Sequence, residues 1–178
     1  MLASCKVDLA EKTAGPTMLI SITVENFGSI ADEQTLDLRI PDTTPALDRF
    51  EPVPGRLPIR LPRVVGFFGP NASGKTTVLR AITSVMSFVV NSFELAPDAK
   101  LPYFGPFGNR VYFDKPTKIS VDFDAAWLSG GTTKTFRYTV EIGNKDGLAD
   151  SVQSEKLYYA EKNRFRRIFE RSASEFMA

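Results

Sequence analysis

Gly69-Pro70-Asn71-Ala72-Ser73-Gly74-Lys75-Thr76 has the spacing Gly-x-x-x-x-Gly-Lys-Ser/Thr, and its residue types suit one task, holding the phosphates of a nucleotide. A glycine at each end lets the chain turn tightly, so the backbone N–H groups of Asn71 to Lys75 converge on phosphate oxygens. Lys75 is placed to reach the β- and γ-phosphates, and the Thr76 hydroxyl to hold Mg²⁺. The helix that follows adds the partial positive charge of its N-terminus, and Thr77 adds a candidate hydrogen bond to the α-phosphate. The chemistry implied is binding of ATP with Mg²⁺. A glycine-rich turn that merely joins strand to helix does not account for Lys and Thr directly after Gly74.

Weaker constellations surround this one. Asp122 and Asp124, two apart on a strand, share a face and form a candidate metal pair, although Ile119, Val121 and Phe123 opposite them fit an ordinary amphipathic strand. Asn144-Lys145-Asp146-Gly147 departs from the guanine-specificity pattern Asn-Lys-x-Asp at its fourth position, and Asp146-Gly147 between two strands is a hairpin turn. No Asp-x-x-Gly occurs in the chain, which argues against a GTPase. Phe67-Phe68, Trp127 and Tyr158-Tyr159 read as core or rim aromatics before a base-stacking platform. His 0 removes every mechanism that needs an imidazole, and Cys 1 removes an intrachain disulfide.

The elements that position the loop follow from hydrophobic pattern. Arg63-Val64-Val65-Gly66-Phe67-Phe68 is apolar without alternation, which predicts a strand buried on both faces at the sheet centre. Thr76 to Val90 carries Val78, Ile82, Val85 and Val89 on one helical stripe, with Leu79, Met86 and Val90 beside it, and predicts a heavily buried helix. Upstream, Ile20-Ile22-Val24 and Leu36-Leu38-Ile40 alternate with polar residues and predict a hairpin-like pair. Six prolines between Pro41 and Pro62 argue for an extended loop. Downstream, Lys118 to Phe123, Thr135 to Ile142, Ser151 to Tyr159 and Phe165 to Glu170 read as strands of an antiparallel meander. The predicted organisation is a disordered extension over 1–17, a P-loop lobe over 18–96 with its loop at 41–62, and an antiparallel β subdomain over 97–178. The fold class is α/β.

The chain of 178 residues carries 22 basic and 21 acidic residues, a net charge of +1. That balance gives no electrostatic footprint for nucleic acid. The basic stretch Lys162, Arg164, Arg166, Arg167 and Arg171 alternates with aromatics and glutamates and reads as a solvated strand face, which leaves nucleic acid open. No run approaches the roughly 18 apolar residues of a membrane span, so no membrane partner is expected and the cytoplasm is the expected location.

Ile20-Ser-Ile-Thr-Val-Glu-Asn-Phe-Gly-Ser-Ile30, followed by the Gly69 to Ile82 segment, resembles the N-terminal part of RecF/SMC/OLD-like ABC-type ATPases. Within that group it is similar to the AAA-family ATPases with an ABC-like head that serve in bacterial phage defence. Ser154 to Tyr159 and Arg167 to Arg171 extend the likeness over about Met18 to Arg171. The resemblance implies a partial ABC-type ATPase head in which Asn26 and Ser29 join Gly69 to Thr77 around ATP. It also implies partners: a second ATPase head or a C-terminal lobe, and an effector nuclease. Members commonly carry an arginine where this chain has Gly28. Their signature motif, Walker B Asp-Glu pair and switch histidine have no counterpart here, and Ile119 to Asp124 lacks the Walker B form. The chain is therefore expected to be a fragment or truncated product with little hydrolysis alone, in phage defence or DNA metabolism. Two other readings stay open, a non-enzymatic nucleotide-sensing module and a small P-loop kinase. Against the kinase, 68 residues precede Gly69 and the remainder is mostly β.

Overall fold

In the computed structural model, residues 18–45, 47–53, 59–91, 101, 104–126, 133–161 and 164–172 are described. The predicted 1–17 extension, Trp127 and Lys162 lie outside them. β1 (Met18–Glu25) and β2 (Gln34–Asp37) pair antiparallel with Ile22 opposite Leu36, as their alternation predicts. β5 (Thr117–Ala126), β6 (Thr133–Lys145), β7 (Leu148–Glu161) and β8 (Arg164–Ser172) form the meander. Both groups belong to one six-stranded sheet of order β2-β1-β5-β6-β7-β8, in which β1 and β5 are antiparallel neighbours. The β6–β7 turn carries Asp146 and Gly147, both at positive φ (54° and 78°), the backbone that a two-residue hairpin of right-twisted strands requires.

One face of this sheet is dry. Ile22, Val24, Ile119, Val140 and Ile142 are buried on it together with Ala81, Val85 and Phe88 of α1 (Lys75–Asn91). Ile20, on the same face, packs on Val53 and Leu61 beside a small two-stranded sheet of β3 (Phe50–Pro52) and β4 (Arg60–Pro62). The 41–62 segment therefore contains a short ribbon where its prolines predict only a loop. Pro52 and Pro62 stand at the ends of these strands, where a missing N–H costs no ladder bond. The opposite face is polar: Thr23 and Thr35 share a hydroxyl hydrogen bond of 2.8 Å, Ser120 and Thr139 one of 3.0 Å, and Arg137 grips Asp122 with two bonds of 2.7 Å. On the dry face, Tyr138 donates to Glu155 at 2.7 Å while Arg171 also holds Glu155; burial first and the carboxylate second push the Tyr138 phenol far above its ordinary value.

Two predictions need correction. Residues 64–68 are not a strand and do not lie at the sheet centre: Val64 is 86% and Phe68 95% exposed. A strand exists only through its neighbours' backbone groups, and none of the described residues forms a backbone hydrogen bond with 64–68. Likewise α1 is buried on one side only. Its inward face is Ala81, Ser84, Val85 and Phe88, whereas Leu79, Met86, Val89 and Val90 are exposed. The sheet covers one face of a helix that is apolar on two.

Asp124 links stability to pH. It is 1% exposed and accepts the Met18 N–H at 2.6 Å; burial raises its carboxyl above the ordinary value, against the lowering effect of that bond. With the folded pKa above the unfolded one, Asp124 costs nothing below about pH 3 and destabilises progressively as pH rises toward the folded value. Asp124→Asn keeps the acceptor and removes the charge, so it should melt a few degrees above the wild type at pH 7, with the gap closing near pH 3. A gap that is the same at both pH values would contradict this account.

Candidate functional site

The loop after Phe68 closes around the Lys75 ammonium. Lys75 Nζ donates to Gly69 O at 3.0 Å, Pro70 O at 2.6 Å and Ser73 Oγ at 3.2 Å. Ser73 N–H turns back to Pro70 O at 3.4 Å, and the chain passes through left-handed backbone at Ala72 (φ 64°) and Gly74 (φ 84°) before α1 starts. Glycine suits the second position; at Ala72 the conformation is uncommon for a residue with a Cβ and is a mark of functional loops. The first i→i−4 bond of α1 is Val78 N–H to Gly74 O at 3.1 Å, so the preceding amides have no helical acceptor. No acidic residue occupies the first turn. These features fit an anionic ligand: free amides at a positive helix end, an ammonium hydrogen-bonded to neutral oxygens alone, and two adjacent hydroxyls, Thr76 and Thr77.

A second segment is built against this one. β1 ends at Asn26, which is 1% exposed and left-handed (φ 50°), a conformation asparagine tolerates better than most residues. Its Nδ2 donates to Tyr112 O at 3.0 Å and Lys115 O at 2.8 Å, and its Oδ1 accepts the Phe107 N–H at 2.9 Å. Its backbone carbonyl accepts Thr117 Oγ1 at 2.7 Å. The tight turn Phe27 to Ile30 follows, closed by reciprocal backbone bonds of 2.8 and 2.9 Å. At its tip Gly28 N–H donates to Gly105 O at 2.9 Å, while Phe104, packed edge-on to Phe88, holds that neighbouring segment beneath α1. Gly28 (φ 56°) lies so close to Thr77 that an added Cβ would stand 3.0 Å from Thr77 Cγ2. Ser29 Oγ and Thr77 Oγ1 are 2.6 Å apart.

Among the predicted site residues, Ser29 is thus brought to Thr77, and through it to the loop of Gly69, Pro70, Asn71, Ala72, Ser73, Gly74, Lys75 and Thr76. The Asn26 side chain is spent on the 107–116 segment. Sequence reading missed Gly28 as the point of close approach and Gly105 as its partner; the signal available was the Asn-Phe-Gly triplet directly after an alternating strand. The weaker candidates serve the fold. Asp122 holds Arg137 and Asp124 holds Met18, and no metal-ligating group of three occurs among the described residues. Asn144 Nδ2 donates to Lys115 O and Thr117 Oγ1. On β8, Arg166 pairs with Glu161 and Arg167 with Glu170 at the exposed surface, while Arg171 reaches the buried Glu155. No helix among the described residues is long and apolar enough to cross a membrane.

A mainly antiparallel sheet with one helix packed on it fits the partial fold of an ATPase. The family described as AAA domain matches residues 21–175, and the chain belongs to that family of AAA-type, ATP-binding proteins. No curated protein and no solved structure matches it.

Gly28→Ala tests the packing of the two segments. The new methyl meets Thr77 and a left-handed backbone at once, so the variant should lose about 1–2 kcal/mol in urea unfolding. Wild-type stability would mean that the Gly28 turn is free to move off α1.

Proposed function

We propose that the chain binds Mg-ATP through Gly69 to Thr77, with Lys75 on the β- and γ-phosphates and Thr76 on Mg²⁺. The observation that carries this is the Lys75 ammonium, ringed by three neutral oxygens and without a carboxylate partner among the described residues, at the acid-free start of α1. An ammonium so placed lacks a counter-charge, and a polyphosphate supplies it. Mg²⁺, when bound, would neutralise phosphate charge. Lys75→Ala should weaken Mg-ATP binding at least about tenfold by calorimetry, roughly 1.4 kcal/mol. Unchanged affinity would exclude the loop as the nucleotide site.

Turnover is a separate matter. In a RecF/SMC/OLD-like head the attacking water is oriented by an acidic residue, and neither Asp122 nor Asp124 is available, each being engaged in the sheet. Phosphoryl transfer depends almost wholly on positioning and charge stabilisation, so the chain alone holds the ground state without lowering the barrier much. The exposed Val64, Val65 and Phe68, in a segment without a backbone partner among the described residues, and the outer face of α1 favour completion by a second head or a further lobe over independent action as a kinase. Phosphate release at saturating Mg-ATP should therefore stay far below the roughly 1–100 s⁻¹ of competent enzymes. A rate in that range, abolished by Lys75→Ala, would overturn this half of the proposal.

A further inference from the structure

We infer that Ser29 is a positioning residue for the nucleotide, acting through the Thr77 hydroxyl, and that Asn26 and Gly28 exist to hold it there. The inference rests on the Mg-ATP reading. Two hydroxyls 2.6 Å apart share one hydrogen between them and leave the other free to donate outward. A phosphate oxygen only accepts, so an anion over the first turn of α1 polarises the pair in one direction: Ser29 donates to Thr77, and Thr77 donates to phosphate. Donation from Ser29 makes the Thr77 hydrogen the better donor and fixes its rotamer before the ligand arrives, which removes an ordering cost from binding.

The surrounding structure has the form such a role needs. Ser29 is exposed, so its hydrogen bond rescues no buried group, and water would satisfy either hydroxyl as well. Yet the turn that presents it is held at every point: by the four hydrogen bonds of buried Asn26 to Phe107, Tyr112, Lys115 and Thr117, by the Phe27–Ile30 bridge, and by Gly28 between Gly105 and Thr77.

The test is a double-mutant cycle on the full chain, Ser29→Ala and Thr77→Val, read as the dissociation constant of a non-hydrolysable Mg-ATP analogue with melting temperature alongside. Ser29→Ala should weaken binding about fivefold, the size of one hydrogen bond, with a melting temperature within a degree or two of wild type. Ser29→Thr should restore affinity. The double variant should bind no more weakly than the weaker single one, because both substitutions break the same relay. Wild-type affinity in Ser29→Ala, or losses that multiply in the double variant, would overturn the inference while leaving nucleotide binding in place. No affinity in the wild type would instead remove the Mg-ATP reading, and this inference with it.

Discussion

The architecture around the loop depends on one buried amide. Asn26 closes β1 in a left-handed conformation; its side chain bonds to residues 107, 112 and 115 and its backbone carbonyl to Thr117, so the strand end, the 107–115 segment and the start of β5 are fixed by one residue. An unpaired buried amide costs more than a made hydrogen bond gains, which gives the arrangement little freedom to drift. From this point the chain turns at Gly28 and reaches α1. The N-terminal end of the helix is thereby referenced to the sheet through a polar anchor, whereas its middle is held by Val85 and Phe88 in the apolar core. Polar bonds have direction and apolar contacts do not. The end that carries the Thr76 and Thr77 hydroxyls is the end fixed by hydrogen bonds.

Val64 to Phe68 and the outer stripe of α1 share a physical history. Both are apolar on more faces than the described fold covers, and both are exposed. A helix can hold itself together with one side in water, because its hydrogen bonds are internal. A strand cannot, and the same apolar excess that leaves α1 intact leaves 64–68 without regular structure. The two segments flank the loop, so whatever buries one also bears on the conformation from which Gly69 departs.

Much of the fold was legible because its rules are local. Period-two alternation marks β1, β2 and the meander, Asp146-Gly147 marks the tightest turn, and the Gly-Lys-Thr run marks the start of α1. What was not legible depends on partners distant in the chain. The run at 64–68 reveals that the segment suits burial on both faces, not whether a neighbouring strand is there to pair with it. The stripe Val78, Ile82, Val85 and Val89 is one reading of α1, but a helix apolar on two faces has no unique inward one, and Phe104 and the sheet select Ala81, Val85 and Phe88 with Ile82 partly buried beside them. The site was half legible: Lys75 and Thr76 lie in a contiguous motif, while the meeting of Gly28 and Ser29 with Thr77 spans 48 residues and has no local signature.

Charge separates the loop from the basic positions that are held in ion pairs; Arg60, like Lys75, rests on backbone carbonyls, those of Pro41 and Thr44. Arg39, Arg63, Lys118, Arg137, Lys156, Arg166, Arg167 and Arg171 each face a carboxylate at ion-pair distance. Most of these pairs lie on the surface, where each contributes little to stability, but together they cancel the field that would draw a polyanion to the sheet. Lys75 is solvated instead by backbone carbonyls and a hydroxyl, which carry dipoles and no net charge. Its field therefore adds to that of the amides at the start of α1 instead of being cancelled beside them. In a chain of net charge +1, the local field depends on where charge is left uncompensated, not on how much of it there is, and Lys75 in the 69–77 loop meets only neutral oxygens among the described residues.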